Sequence, residues 1–568
     1  MASIVKKIKK GHAYYYAVQS QRVNGKPRIV WQKYLGTIEA IMGRADEARP
    51  PKPKEVVIFE AGGVAALAAI ARRLGLAEIV DAVVPKREQG PSVGQYILLA
   101  AINRALAPCS KLAIGDWYEQ TVLRRLWGFG PEAFTSQRFW DHMDRIGESD
   151  IDAIQERLLA AVHKEFGLDG GLLLYDTTNF YTYIATTNDR CPLAQRGRNK
   201  QKRHDLRQYG LALLLAGDHQ VPVLHHVYEG NLVDVKLFPA VAQDLLARYR
   251  QATGRQDEMT MVFDKGNVSR EAIEALARAK THFVAAIPAS WRPALLATPL
   301  EKFQAHEALP GTQVFETAED FWGETYRVSV TYTESFFTQQ LHGLTQTLVK
   351  CQKKLLDLAK SLEAWRQGKK TRGKRPTLAS VRRSVQRILS AQFMKEVLLA
   401  EATEDVKTKT VRLAYRVDHD ALGRLARERL GRSLLISSHM EWNAPQLAAN
   451  YRSLSGVEDA FRNMKNVDYL RCQPAYHWTE QKLRVHGLYC VMALLLATLA
   501  RKVAAQGGVE LPLLALLDDL TAIREVAVVY PQGTLAHRKD HITLSRMTPR
   551  QKKLAEALHI AETLAAKG

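Results

Sequence analysis

The chain has 568 residues, more than one hydrophobic core usually spans, so about two to four domains are expected. Its formal net charge of +21 and pI of about 9.6 favour a polyanionic partner, nucleic acid before an acidic membrane. The five cysteines are scattered without a Cys-x-x-Cys pair, which argues against a disulfide framework and against a cysteine zinc site. No signal peptide is visible, and the longest apolar run, residues 487–500, is too short to span a bilayer. We therefore expect a cytoplasmic protein without a membrane partner.

The first 165 residues divide into two regions. Residues 1–50 alternate aromatic and polar residues around Asn24-Gly25, which predicts a basic β-hairpin arm. The lysines and arginines of this arm are either solvated or in contact with DNA, and the sequence leaves both readings open. A Pro-rich linker at 49–55 leads into residues 51–165, where several helical segments predict a DNA-binding or dimerisation region without clean helix-turn-helix spacing.

Residues 166–290 alternate strand and helix patterns in the order β-β-β-α-β-α-β, which indicates a mixed α/β domain. Two of its apolar strands are predicted to end in an acid, "GLLLYD" in Asp176 and "MTMVFD" in Asp264. An aspartate at a strand end is often only a turn former, and Thr177 and Asn179 then cap that turn.

Residues 291–430 interrupt this pattern with a β-like segment and a long helical stretch from about 336 to 400. We interpret them as an inserted domain with a basic helical hairpin. The hairpin tip has many cations and few acids, so it is either a solvated loop or a phosphate contact. The cations proposed to bind DNA are Lys369, Lys370, Arg372, Lys374 and Arg375.

The pattern resumes at 431–505, where a short strand precedes the helical segment "YRSLSGVEDAFRNMKNVDYLRC". Tyr451, Glu458 and Lys465 are spaced seven residues apart, so on a helix they share one edge beside the apolar face. Ser455-Gly456 is a possible break in that helix. Residues 506–568 are predicted to form a helical tail.

Asp176, Asp264 and Glu458 form the constellation that points to chemistry. Two acids at the ends of neighbouring strands and a third on a helix bordering the core would repel one another without cations. Mg²⁺ and Mn²⁺ prefer oxygen ligands, and two such ions can activate a nucleophile and stabilise the leaving oxygen of a phosphodiester. In a strongly basic protein, this predicts action on DNA.

The segments "LLLYDTT", "VFDKGN" and "YRSLSGVEDAFRNMK" resemble those of bacterial insertion-sequence DDE transposases, in the insertion-sequence-4-like group with a Tyr-Arg-Glu-Lys signature. The resemblance implies an RNase H-like catalytic domain, residues 166–290 plus 431–505, interrupted by the insertion. Tyr451, Glu458 and Lys465 match the signature, whereas its arginine position holds Leu454. Arg452 and Arg462 are the nearby replacements for that charge.

By this resemblance, Asp176, Asp264 and Glu458 are both the catalytic residues and the ligands of two Mg²⁺ ions, for which Mn²⁺ substitutes. The enzyme would cut the terminal inverted repeats of a duplex element and join the freed 3′-hydroxyl to target DNA. Tyr451, Lys465 and Arg462 would contact DNA, and a homodimer would hold the synaptic complex, near the bacterial nucleoid. Two alternatives remain: a metal-dependent nuclease without strand transfer, and a non-catalytic sequence-specific DNA-binding protein derived from a transposase.

Five other residues have a functional and a structural interpretation. His486 precedes an apolar helical run and is interpreted as a core-edge histidine. The consecutive histidines at 225–226 fall on opposite faces of a strand, which argues against a shared metal. Trp291 and Trp322 either stack on a flipped base or are buried.

Overall fold

The computed structural model describes residues 2–23, 25–47, 53–86, 89–197, 203–370, 372–405, 408–530 and 541–565. Within these ranges the chain is a mixed α/β protein whose largest element is a nine-stranded mixed sheet. Three smaller antiparallel sheets accompany it.

The N-terminal arm contains three antiparallel strands in the order β1-β2-β3. The sequence predicted only a hairpin around Asn24-Gly25, whereas the structure has a third strand, β1, that contains the first lysines. Asn24, the predicted turn residue, lies outside the described residues. The elements are β1 (Ala2–Lys9), β2 (His12–Val23), β3 (Lys26–Gly36) and α1 (Ile38–Glu47).

A helical region follows the arm, as the apolar periodicity predicted. One strand, β4, precedes the helices. The elements are β4 (Glu55–Glu60), α2 (Gly62–Leu74), α3 (Leu76–Val83), α4 (Val93–Leu106), α5 (Ile114–Glu119), α6 (Leu123–Trp127), α7 (Ser136–Met143) and α8 (Glu148–Phe166).

The next segment forms the centre of the large sheet. Three strands make an antiparallel meander, and the last two strands run parallel to the first in the spatial order β7-β6-β5-β8-β9. Ser269 caps α10 through its side chain, as predicted. The elements are β5 (Leu172–Thr182), β6 (Arg207–Ala216), β7 (Pro222–Glu229), α9 (Asp234–Thr253), β8 (Met259–Phe263), α10 (Arg270–Arg278) and β9 (Thr281–Ile287).

The β-like beginning of the predicted insertion belongs to this same sheet. Its strands extend the sheet through the antiparallel neighbours β9-β15-β12-β11-β10. Sequence periodicity reveals a strand without revealing its partner, so this long-range pairing was not predicted. The elements are α11 (Pro293–Leu296), β10 (Gln304–Ala305), β11 (Thr312–Phe321), β12 (Glu324–Thr333) and β15 (Arg432–Ser437).

Between β12 and β15 the chain forms a module with a separate hydrophobic core, from Leu344 to Leu430. A long helix and a shorter one are joined by residues 367–377, and a two-stranded sheet follows them. The elements are α12 (Glu334–Arg366), α13 (Leu378–Ile388), α14 (Met394–Val397), β13 (Leu398–Glu404), β14 (Val411–Val417) and α15 (His419–Arg429).

The C-terminal part begins with helices and ends with a small sheet. The strand β16 pairs with both β4 and β17, so the predicted helical tail also contains strands. The elements are α16 (Ala444–Arg452), α17 (Ser455–Met464), α18 (Glu480–Gln506), α19 (Leu513–Thr521), β16 (Arg524–Val529), β17 (His541–Leu544), α20 (Pro549–Ala557) and α21 (Ile560–Ala565).

The helix α18 lies at the centre of the main core. It is long and apolar enough to cross a membrane, but 94% of its most apolar window is buried inside the protein. It packs against α2, α4 and β7. The helical region and the large sheet therefore share one continuous hydrophobic core.

Candidate active site

Asp176 and Asp264 lie side by side on neighbouring parallel strands. The last residue pair between β5 and β8 is Tyr175 with Phe263. Asp176 follows Tyr175 in the sequence, and Asp264 follows Phe263. Asp264 keeps an extended backbone, with φ −79° and ψ 159°, so both side chains point to the same face of the sheet. Strands in a sheet are about 4.8 Å apart, which brings the two carboxylates together.

The opposite face of these strands is fixed by aromatic packing. The rings of Tyr175 and Phe263 pack on Phe238 of α9, with centroid distances of 4.8 and 4.6 Å. All three rings are fully buried. Because side chains alternate along a strand, this packing directs Asp176 and Asp264 to the face on which α16 and α17 lie.

The strand β5 does not end at Asp176, as the sequence predicted. It continues to Thr182, paired with β6 throughout, although its pairing with β8 stops at Tyr175. The acid therefore lies in mid-strand, at the point where β5 loses one neighbour. Thr177 and Asn179 accordingly occupy extended positions in the strand and do not cap a turn.

Tyr451 connects the two strand acids to the helical acid. Its hydroxyl donates a hydrogen bond to Oδ1 of Asp264 over 3.0 Å. Burial raises the pKa of Tyr451 well above its usual value, and the negative charges of Asp264, Glu458 and Asp176 raise it further. The three carboxylates thus act on a single hydroxyl group, although they are far apart in the sequence.

The segment that carries Tyr451 and Glu458 consists of two helices instead of one. The helix α16 ends at Arg452, and α17 begins at Ser455, close to the break that Ser455-Gly456 suggested. Val457 and Phe461 bury the inner face of α17, whereas Glu458 is exposed in its first turn. An acid at this position interacts favourably with the positive end of the helix dipole.

Lys465 lies at the end of α17 and reaches back to β5. Its Nζ donates to the hydroxyl of Thr178 over 2.6 Å and lies 5.3 Å from the centroid of the Phe180 ring. Thr178 is two residues after Asp176 and shares its face of the strand. Sequence reasoning did not single out Thr178, although the two-residue spacing on an extended strand would have identified it.

The signature position without an arginine is part of the core. Leu454 is buried, with 7% of its surface exposed. Arg452 donates to the hydroxyl of Thr312 over 2.8 Å, and Arg462 pairs with Asp459 over 2.6 Å on the exposed side of α17. Surface ion pairs of this kind contribute little to stability. Both arginines thus have protein partners in this structure.

Five of the cations predicted to bind DNA lie on the tip of the inserted module, which we define as residues 367–376. All five are exposed, and none forms an ion pair with a carboxylate among the residues that the structure describes. Lys370 donates to Ser361, and Arg375 donates to the carbonyl of Thr408, so two of the five are tied to the module.

His486 is a buried structural histidine, as interpreted from the sequence. One ring nitrogen meets the Tyr489 hydroxyl, and the other meets the carbonyl of Cys472. The thiols of Cys472 and Cys490 are within reach of the same ring, an arrangement that the scattered cysteines did not predict. Since both ring nitrogens are already hydrogen-bonded, the cluster has a structural explanation.

The remaining aromatic candidates are held by packing. Trp291 and Trp322 meet edge to face at 5.6 Å, and 38% of the Trp322 surface is exposed. His225 is buried and His226 half-buried on opposite faces of β7, in agreement with the predicted alternation.

The residues around Tyr451 fit a site for hard divalent cations. Three carboxylates and one threonine hydroxyl supply only oxygen donors, which Mg²⁺ and Mn²⁺ prefer. Carboxylates that bind metals are usually oriented by a further hydrogen bond, and Tyr451 provides one to Asp264.

Searches with protein-family models and against curated proteins give no match. Among solved structures, the chain is similar to a piggyBac transposase synaptic complex with hairpin DNA, at 10% identity and a TM-score of 0.36, covering 82% of each chain. It also matches a Mos1 transposase paired-end complex with the left transposon end, at 9% identity and a TM-score of 0.15, covering 37% of this chain and 63% of the other. A Mos1 paired-end complex with Mn gives 10% identity, a TM-score of 0.14 and coverage of 35% and 60%. At these scores the similarities carry no argument about the site.

Proposed function

We propose that this protein is a DDE transposase that cuts the ends of a DNA element and joins the freed 3′-hydroxyl to target DNA. The observation that carries the proposal is the Tyr451 hydroxyl, which donates to Asp264 and experiences the charges of Asp264, Glu458 and Asp176 together. The three acids come from distant parts of the chain, and their charges around one hydroxyl group are what a site for hard divalent cations would compensate.

The strand order supports an RNase H-like catalytic domain. A three-stranded antiparallel meander is followed by two strands parallel to the first, in the order that the resemblance implies. In this arrangement Asp176 lies on the central strand β5 and Asp264 follows the adjacent strand β8. The module between β12 and β15 would be the insertion that separates Asp264 from Glu458.

Asp176, Asp264 and Glu458 would hold two Mg²⁺ ions, which when bound activate the attacking oxygen and stabilise the leaving oxygen of the phosphodiester. Tyr451 would keep Asp264 in the orientation required for binding them. Lys465, held by Thr178, would place a positive charge beside the scissile phosphate. Duplex DNA with terminal inverted repeats would be the substrate, and a homodimer would pair its two ends.

Cleavage of end-bearing DNA tests the proposal. Glu458→Gln and Asp176→Ala should each abolish Mg²⁺-dependent nicking of DNA that carries the flanking ends of the protein's own gene, and binding measured in Ca²⁺ should remain. Asp459→Asn is the matched control, since it removes the neighbouring carboxylate, 52% exposed and paired with Arg462 on the same helix.

Four results would contradict the proposal in different ways. Nicking that survives Glu458→Gln would remove this acid from the site. Equal loss in Asp459→Asn would point to a general effect of charge on α17. Nicking by the natural chain without joining of the 3′-hydroxyl to a second duplex would identify a nuclease, and binding without nicking would identify a DNA-binding protein derived from a transposase.

A further inference from the structure

The arm formed by β1, β2 and β3 has an extreme charge composition. The first 36 residues contain eight lysines and arginines and no aspartate or glutamate. Among the described residues of the arm, no cation is paired with a carboxylate. Cations that the protein leaves unpaired on one small sheet require an external anion or solvent to compensate them.

The two faces of this sheet differ in chemistry. Cross-strand register places Val5, Tyr16 and Tyr34 on one face, since Val5 pairs with Tyr16 and Tyr16 pairs with Tyr34. Alternation adds Tyr14 and Lys7 to that face, because they lie two residues from Tyr16 and Val5. We call this the tyrosine face.

Side chains of the tyrosine face contact one another. The ring of Tyr34 lies 5.1 Å from that of Tyr16 and 6.1 Å from that of Tyr14. The Nζ of Lys7 donates to Gln32 over 3.1 Å and lies 4.8 Å from the Tyr16 centroid. This face therefore engages Lys7 within the sheet.

The other face carries Ile4, Lys6, Trp31 and Lys33, which form no side-chain hydrogen bond, ring contact or ion pair with the residues that the structure describes. Ile4 pairs with Ala17 and Ala17 with Lys33, so these residues point the same way, and Lys6 and Trp31 lie two positions from Ile4 and Lys33. Ile4 is 67% and Trp31 48% exposed, and both lysines are exposed. We call this the lysine face.

We propose that the lysine face docks on duplex DNA, with Lys6 and Lys33 on phosphates and Ile4 and Trp31 against sugars or base edges. Its charge complements a polyanion, and its exposed apolar side chains match the apolar edges that a groove presents. Three strands about 4.8 Å apart are roughly 10 Å wide, close to the major groove width of about 12 Å. The choice of DNA as the partner rests on the proposed function. The choice of face rests on the register, exposure and contacts of these side chains.

Two double variants of the full chain test which face binds. Lys6→Gln with Lys33→Gln removes two charges from the lysine face. Lys7→Gln with Lys9→Gln removes two charges from the tyrosine face and serves as the matched control, since Lys9 is two residues after Lys7 on β1. Binding to a duplex is measured by fluorescence anisotropy in Ca²⁺ at several salt concentrations.

The lysine-face variant should lower the slope of log affinity against log salt concentration by about 1.8, the amount for two lost phosphate contacts, and the control should keep the natural slope. Equal slopes in both variants would overturn the choice of face. A changed oligomeric state in sedimentation, with an unchanged slope, would instead identify a protein interface and also overturn the inference. A natural chain that binds DNA but does not cut it would refute only the proposed function.

Discussion

The candidate active site and the tip of the inserted module carry opposite charges. They also differ in packing, because the aspartates of the site follow buried side chains and the cations of the tip are exposed. Asp176 and Asp264 come directly after Tyr175 and Phe263, whose buried rings pack on Phe238. The tip cations lie on an exposed connection between α12 and α13, outside both hydrophobic cores. The two aspartates thus have fixed relative positions, as catalysis on a single phosphate would require. The electrostatic field of the tip cations depends less on the exact position of each side chain.

This contrast predicts that small changes near the acids have large effects on catalysis. Tyr451→Phe removes the hydroxyl that donates to Asp264 and keeps the ring. We expect the rate of DNA nicking to fall by about ten- to a hundredfold, as for other groups that orient metal ligands. Affinity for DNA measured in Ca²⁺ should change much less.

The Mg²⁺ dependence of nicking distinguishes two explanations for a slower Tyr451→Phe variant: a misoriented Asp264 carboxylate and a packing defect. If Tyr451 orients Asp264, Tyr451→Phe should need more Mg²⁺ for half-maximal rate, whereas a packing defect would lower the thermal midpoint instead. An unchanged rate at all Mg²⁺ concentrations would show that this hydrogen bond has no role.

The stability of the core that covers β7, on the same face of the sheet as Asp176, should also depend on acid pH. Burial lowers the pKa of His225 to about 3, and neither ring nitrogen has a hydrogen-bond partner among the described residues. The unfolded chain takes up this proton below about pH 6.5, whereas the folded chain does so only near pH 3. The contribution of His225 to stability is therefore complete above pH 6.5 and is lost as the pH falls toward 3.

Between pH 8 and pH 5 this single group should cost about 2 kcal/mol of unfolding free energy. In His225→Leu that part of the pH dependence should disappear, which denaturant unfolding at both pH values would measure. His226 is half-buried on the opposite face of β7, so His226→Leu should reduce the pH dependence of the unfolding free energy less. An undiminished acid loss in His225→Leu would contradict the assignment.

The smallest effects are expected at the tip. Lys369→Gln with Lys374→Gln should lower the salt slope of DNA binding by up to about 1.8, if both lysines contact phosphate. The measurement is again anisotropy at several salt concentrations. The paired control is Lys552→Gln with Lys553→Gln, two exposed lysines on α20. Equal slopes in the two pairs would remove the tip from the DNA interface.

The sequence predicted the local elements of the site better than their partners. The strands before Asp176 and Asp264, the cap Ser269 and the break near Ser455 follow from apolar runs and turn residues, which act over a few positions. The continuation of β5 past Asp176 was not predicted, because polar residues after an apolar run look like a turn. Whether they extend a strand depends on β6, whose paired residues are twenty-five or more positions away.

Long-range pairing also explains the other differences. The strands β10, β11 and β12 join the large sheet through β15, which is about one hundred residues further along the chain. Likewise, Thr178 receives Lys465 across 287 positions. Neither contact leaves a periodic signal in the sequence.

The strands that flank the inserted module are neighbours in the large sheet. Tyr332 on β12 pairs directly with Arg432 on β15, and the amide of Thr333 donates to the carbonyl of Gly431 over 3.0 Å. The chain thus leaves the large sheet and returns to it at one pair of neighbouring residues. A short Asn-Gly turn could replace the inserted module and close the two strands into an ordinary hairpin. The inserted module could therefore be exchanged, in evolution or by design, without changing the sheet that carries Asp176 and Asp264.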